Sequence, residues 1–300
     1  MKPLLILMFL GLVSLLRLPA GEAPPPTERW VLMTFNILHN LNPLPPANWS
    51  NRRPLVWQMI RKHQPDVLAL QEVLSGQLDD FEKEFGREYA WVGHGHAGPR
   101  SGEILPVAWR RERHELVAHE FFWLSPTPGI VGSKGWGGRF ARVATWTRLR
   151  ERSTGREFVI VNNHWEADND LMEARRKSAS ILLERSAVVP PDIPVFLAGD
   201  FNIVPTREKR REPYRMLTED GTVPAFLDAW LVAEERHGPD TTKNRLHPAP
   251  LLQPGERKDW ILFRGPVRAL RVTVDDFYHD RLYPSDHLPV IAEFTWTLPR

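Results

Sequence analysis

Short apolar runs that stop abruptly at a polar or charged residue recur along this chain, and they constrain its fold more than any other feature. The sharpest is Leu197-Ala198-Gly199-Asp200-Phe201-Asn202, where an apolar run reaches a glycine and then presents a carboxylate and a carboxamide. Residues two apart on an extended chain point to the same side, so Asp200 and Asn202 are expected to share a face. The run Trp30 to Ile37 alternates with a period near two and exposes Asn36 at its end, Asp66 to Gln71 leads into Glu72, and Phe158 to Asn163 leads into His164. Strands that end this way deliver polar groups to one sheet edge, where a rigid scaffold fixes residues remote in sequence.

Further strands are expected at Tyr89–Val92, Ile104–Trp109, Leu116–Trp123, Arg142–Leu149, Ile193–Ala198, Trp260–Phe263, Leu270–Val274 and Val290–Trp296. Helical spacing marks Arg53–His63, a segment from Ser75 as N-cap through Phe85, and Leu171–Leu182. Helices and strands mix without a repeated unit, which suits two central sheets flanked by helices better than a barrel or solenoid. No compositional break divides the 300 residues, so residues 30–300 are expected to build one large core.

The N-terminus reads differently. Met1-Lys2, the apolar run Leu4 to Leu16 and the small-residue end Leu18-Pro19-Ala20-Gly21 form the pattern of a secretory signal over residues 1–20, followed by a proline-rich linker over 21–29. The protein is therefore expected to be exported, periplasmic or secreted, with an uncleaved N-terminal anchor as the alternative. The chain contains no cysteine, which removes disulfides, thiolate metal sites, cysteine nucleophiles and a lipidated N-terminal cysteine together. Any metal must then be held by oxygen or imidazole, and oxygen-rich ligation favours Mg²⁺, Mn²⁺ or Ca²⁺. A net charge of +2 with a pI near 9.0 tolerates an anionic substrate without the dense basic runs of a dedicated nucleic-acid binder.

A carboxylate beside an amide donor suits phosphoester hydrolysis, because one orients and deprotonates water while the other bonds a phosphoryl oxygen. Taken alone, Asp200 and Asn202 fit an ordinary turn after a strand better, because Gly, Asp and Asn are the usual turn residues. Near the C-terminus, Tyr283-Pro284-Ser285-Asp286-His287-Leu288-Pro289-Val290 sets a carboxylate and an imidazole side by side before a terminal strand.

Taken together, Thr34-Phe35-Asn36-Ile37, Gln71-Glu72-Val73, Asn163-His164, Gly199-Asp200-Phe201-Asn202, Asp259-Trp260-Ile261 and Ser285-Asp286-His287-Leu288-Pro289-Val290 resemble the ordered motifs of the endonuclease/exonuclease/phosphatase superfamily. The resemblance implies an α/β four-layer sandwich of two packed mixed sheets flanked by helices, and an Mg²⁺-dependent phosphoric ester hydrolase, with Mn²⁺ as the alternative ion. It makes Glu72 the principal metal ligand with Asn36 and Asp286 beside it. Asp200 would activate the attacking water, Asn202 and His164 would hold phosphate oxygens, and His287, oriented by Asp259, would contact phosphate or transfer a proton. Glu103, in Gly102-Glu103-Ile104-Leu105-Pro106-Val107, would orient His164 in the same way.

The stretch Phe122-Trp123-Leu124-Ser125 through Gly135-Trp136 to Arg142-Val143-Ala144-Thr145-Trp146 resembles a bacterial branch of metal-dependent hydrolases. Arg142 could offer its guanidinium to a phosphate, beneath a rim formed by the loop Gly129–Gly138. After His164 the chain has Trp165-Glu166-Ala167, where relatives often continue Leu-Asp-His, so a substrate contact is expected to differ there. His94-Gly95-His96 has metal-like spacing, but its glycine-rich flanks favour a flexible solvent loop. Arg207-Glu208-Lys209-Arg210-Arg211 is expected to be a solvated face, and Trp57, Trp109 and Trp146 fall in core patterns.

The expected partner is a phosphoester, with nucleic acid one candidate that nothing in the sequence singles out; no obligate protein partner is indicated and a monomer is expected. The competing reading is a catalytically silent protein that keeps the fold to bind a ligand or partner. Hydrolysis across a phosphoester panel separates the two.

Overall fold

The computed structural model describes residues 29–41, 44–168, 170–219, 225–250 and 252–297. The signal segment and residues 21–28 of the linker lie outside the described residues, and Arg29, read as linker, already belongs to the first strand. In chain order the elements are β1 (Arg29–Asn36), α1 (Trp49–His63), β2 (Val67–Gln71), α2 (Ser75–Phe85), β3 (Tyr89–Val92), β4 (Val107–Arg110), β5 (His114–Trp123), β6 (Val143–Glu151) and β7 (Glu157–His164). There follow α3 (Met172–Ala187), β8 (Val195–Asp200), α4 (Glu212–Thr218), β9 (Leu227–Asp228), α5 (Ala229–Val232), β10 (Glu235–His237), β11 (Asp259–Arg264), β12 (Val267–Val274) and β13 (Val290–Trp296).

The strands form a seven-stranded sheet, β10-β12-β13-β1-β2-β4-β3, and a six-stranded sheet, β5-β6-β7-β8-β11-β9, each mixing parallel and antiparallel pairs. Period-two alternation sorts the side chains. Leu32, Val67, Ala69, Ile160, Phe196, Ala198 and Phe294 meet between the sheets, where burial of apolar surface holds the two layers together. Met33, Leu68 and Leu70 face the other way, onto Met59, Ile60 and Phe81 of α1 and α2. Val159, Val161 and Leu197 pack under Ala179, Leu182 and Leu217 of α3 and α4. The result is the helix–sheet–sheet–helix sandwich expected from the sequence.

Two local expectations need correction. Ser75 is the first helical residue rather than the N-cap; Leu74 occupies the cap position, and its backbone N–H donates to Gln77 Oε1 at 3.0 Å. The loop around His94-Gly95-His96 is not a flexible solvent loop. His96 N donates to Glu103 O at 3.0 Å, Ala97 N to Ser101 O at 3.1 Å and Leu105 N to His94 O at 3.3 Å, so the backbone groups satisfy one another.

Register places the polar strand ends together. In the six-stranded sheet Asn163 lies opposite Gly199 and His164 opposite Asp200, while on the other side Asp259 lies opposite Asp200. In the seven-stranded sheet Asn36 lies opposite Gln71, and Thr34 opposite Val290. A buried polar belt joins the two sheets at this end: Gln71 Nε2 donates to Asn162 Oδ1 at 2.7 Å, and Asn162 Nδ2 donates to the carbonyls of Leu70 and Pro106. At the opposite pole, Arg29 at the start of β1 pairs with Thr295 near the end of β13.

Gly199 of β8 lies where the backbone of β7 leaves no room for a side chain. Its φ is +147°, and a Cβ there would lie 1.9 Å from the carbonyl oxygen of Asn163. Gly199→Ala must therefore part the two strands at the point where they present His164 and Asp200. It is expected to cost about 2 kcal/mol or more of folding stability in chemical denaturation. An unchanged unfolding midpoint would show that the strands separate freely there.

Candidate active site

Asp200 is the hub. It is buried, its Oδ2 lies 3.6 Å from Nε2 of both His164 and His287, and its Oδ1 accepts the backbone N–H of Asn202 at 2.8 Å. Burial alone would raise its pKa, but the two imidazoles and the Asn202 N–H overcome that and hold it at about 2. Asn36, from the other sheet, donates from Nδ2 to Asp200 Oδ2 at 3.3 Å and to Glu72 Oε1 at 2.8 Å. One carboxamide thus links the expected metal side to the expected water side.

His287 stands between two carboxylates. Its Nδ1 is 2.8 Å from Asp259 Oδ2, and its Nε2 faces Asp200. Burial disfavours the imidazolium, yet Asp259 and then Asp200 outweigh it and raise His287 to about 9, so the ring is protonated at neutral pH. Asp259 is itself pushed up, first by burial and then by the neighbouring Asp200 charge, against the pull of His287. The expected Asp259–His287 unit is present as a contact.

On the far side of Asp200, His164 Nδ1 is 3.5 Å from Glu103 Oε2 and 3.3 Å from Arg142 Nη1. Burial opposes ionisation of Glu103, but its bond to His164 and the charges of His164 and Arg142 bring it down to about 2. Arg142 is held between carboxylates, 3.4 Å from Glu103 Oε2 and 3.6 Å from Glu166 Oε1. The glycine/tryptophan loop closes over this corner, since Gly138 lies so near Glu166 that a Cβ would stand 3.1 Å from its Oε2.

Strand ends are turned sharply to aim these groups. Glu72 and Asn202 both adopt left-handed backbone, with φ of 58° and 51°, a conformation that is uncommon outside glycine and gathers at functional sites. Trp165, fully buried against Phe201 and Trp260, anchors the turn after His164; its N–H donates to Asp200 O at 2.9 Å. Asn202 Nδ2 donates to Trp165 O at 3.1 Å, which turns its amide toward the backbone as well as toward the cleft.

For a metal, the donors fit hard-cation chemistry. Glu72 supplies carboxylate oxygens, Asp286 Oδ1 is buried with no hydrogen-bond partner among the described residues, and Asn36 turns its Nδ2 toward Glu72 while its Oδ1 accepts the Leu38 N–H at 3.0 Å. Among the described residues, potential ligand atoms gather within 4.8 Å of one another in two sets, His39 with Glu72 and Glu103, and Asp200 with Asp259 and His287. Glu72 is thus grouped with His39 and Glu103 and contacts Asn36, while Asp286 belongs to a neighbouring contact with Lys243.

Sequence reasoning passed over four contributors. His39 donates its backbone N–H to Glu72 Oε2 at 3.3 Å, and Lys243 Nζ donates to Asp286 Oδ2. Glu166 flanks Arg142. Arg52, fully buried, donates to the carbonyls of Ile37, Leu38, His39, Ala47 and Pro284, fixing the turn after Asn36 against the segment before Asp286. Only His39 and Glu166 carried a local signal, as polar residues just beyond strand ends.

A two-sheet sandwich that gathers carboxylates, imidazoles and carboxamides at one shared edge is an arrangement suited to the chemistry of phosphoesterases. A family model described as "Endonuclease/Exonuclease/phosphatase family" matches residues 33–287, and the chain belongs to that family. The crystal structure of the endonuclease/exonuclease/phosphatase from Bacteroides vulgatus is similar, with a TM-score of 0.80 at 29% identity over 90% of this chain and 99% of that one. So is a Bacteroides thetaiotaomicron mannosyl-6-phosphatase, with a TM-score of 0.80 at 26% identity over 89% of this chain and 100% of that one. Protein L388 of Acanthamoeba polyphaga mimivirus is 31% identical over 162 residues, which cover 51% of this chain and 59% of the viral protein.

Proposed function

We propose that this protein is an exported, Mg²⁺-dependent phosphoric ester hydrolase that cleaves its substrate by in-line attack of water, without a covalent enzyme intermediate. The observation that carries the reading is the buried Asp200 carboxyl group set between two imidazoles, one of them backed by Asp259. Asp200 orients the water and accepts its proton as the new P–O bond forms. His287, protonated at neutral pH, gives a proton to the departing ester oxygen as the old P–O bond breaks. His164 and Asn202 steady the non-bridging oxygens, with Glu103 orienting His164 and Arg142 adding a guanidinium. Glu72, Asn36 and Asp286 would hold the cation, which supplies charge neutralisation at the phosphate. Export rests on the N-terminal sequence pattern alone.

The test is a panel of sugar phosphates, generic diesters, nucleic acids and phospholipid headgroups, each assayed with Mg²⁺, with Mn²⁺ and with chelator. Sugar phosphates come first because the mannosyl-6-phosphatase neighbour acts on a terminal sugar phosphate by name. Turnover of at least one ester that chelator abolishes and Mg²⁺ restores is the expected result. Metal binding with no hydrolysis anywhere on the panel would favour a silent binding protein.

A further inference from the structure

We propose that Lys243 makes this site select a terminal phosphate, a phosphomonoester carrying a second negative charge, over a phosphodiester. The inference rests on the hydrolase reading above and narrows its substrate class.

Lys243 lies on the segment between β10 and β11, stitched to both catalytic strand ends. Its backbone bridges to His287, Asn244 N donates to Asp286 O at 3.0 Å, and Leu288 N donates to Thr242 O at 2.7 Å. On the other side, Thr242 Oγ1 accepts the N–H groups of Lys258 at 2.9 Å and Asp259 at 3.2 Å. The ammonium group is therefore delivered to the cleft by a fixed backbone.

Its side chain is 21% exposed, and Nζ bonds Asp286 Oδ2, its one bonded partner among the described residues. Its charge also acts on Asp200 and Asp259. An ammonium has three donors, so two remain for oxygens in the cleft. Of the other cations nearby, Lys258 lies 3.7 Å from Glu256 Oε2, and two are set between carboxylates. Arg142 sits between Glu103 and Glu166, and His287 between Asp259 and Asp200. Lys243 is the charge best placed to answer an additional phosphate charge.

That additional charge is what separates the two ester classes. A phosphomonoester carries about −1.5 to −2 at neutral pH because its second ionisation lies near pH 6, whereas a diester carries a single charge. A compact ammonium suits such an oxygen as a point charge. A lysine that served only as counter-ion to Asp286 would affect both classes equally.

The experiment compares kcat/KM for p-nitrophenyl phosphate and methyl p-nitrophenyl phosphate, which share a leaving group and differ by one charge. Wild type, Lys243→Met, Lys243→Gln and Lys243→Arg are assayed. Equilibrium binding of orthophosphate and of dimethyl phosphate is measured alongside. Lys243→Met is expected to lower the monoester value by about 10- to 100-fold more than the diester value, the worth of one hydrogen bond to a charged group. Orthophosphate should weaken by a similar factor while dimethyl phosphate does not, and Lys243→Arg should recover part of the loss. Lys243→Gln keeps a donor for Asp286 without the charge, and serves if the methionine variant does not fold. Equal losses on both esters and both ligands would overturn the proposal. Should wild type hydrolyse neither aryl ester, the orthophosphate and dimethyl phosphate arms decide the role of Lys243, while the hydrolase reading falls only if every ester of the broader panel is also left intact.

Discussion

Asp200→Asn is expected to lower kcat by about 10³-fold or more while leaving the protein folded. The substitution keeps the shape of the side chain and an oxygen to accept the Asn202 N–H, so the local turn persists. What it removes is the negative charge between His164 and His287, and with it the group that orients water and takes its proton. Steady-state turnover of any ester found active in the panel measures the loss, and a thermal melt checks the fold. More than a tenth of the wild-type rate in a folded variant would show that the attacking water is activated elsewhere.

Asp259→Asn should produce the second large effect, a fall of about 10²-fold or more in kcat together with a displaced pH profile. The sign follows from the charges around His287. Asp259 and Asp200 together lift its pKa from the ordinary 6.5 to about 9 against the effect of burial. Removing the Asp259 charge lets burial count for more, so the imidazolium is lost at lower pH and the alkaline limb of the rate profile moves toward neutrality. The same linkage bears on stability. The raised pKa of His287 stabilises the fold fully below about pH 6.5, and that contribution disappears as pH climbs through about 9. Because the pair acts as a unit, Asp259→Asn combined with His287→Gln should cost little more than the worse single change. An alkaline limb that stays in place in Asp259→Asn would remove His287 from the role of proton donor.

Strand ends and their polar residues were legible because period-two burial and turn chemistry are local properties. The runs ending at Asn36, Gln71, His164 and Asp200 became β1, β2, β7 and β8 with their ends at one edge. Contacts that depend on how two sheets meet left no such mark. Asn162 read as an ordinary strand residue and Gln71 only as the neighbour of Glu72, yet they bond across the sandwich. Arg52 lay just before the expected helix Arg53–His63 and gave no sign that its guanidinium would be buried among carbonyls. Lys243 came from a stretch with no periodicity, and its bridge to His287, with the bonds of Thr242 and Asn244 to Leu288 and Asp286, brings it to the cleft. The His94–His96 loop was misjudged because glycine content signals conformational freedom, while the backbone bonds that consume it are set by distant Glu103 and Ser101.

The pairing of Arg29 with Thr295 has a practical bearing on presentation. A strand of eight residues spans roughly 25 Å, so both outer ends of this antiparallel pair lie on the opposite face from Asn36 and Asp200. A tether, affinity handle or fused partner joined before β1 or after β13 leaves from that rear face. Immobilised by either end, on a bead or at a membrane, the molecule would hold its cleft outward toward dissolved or neighbouring esters. The two attachment points are also close enough to be joined by a short linker, which makes a circular permutant opened in a loop remote from the cleft a natural format for engineering.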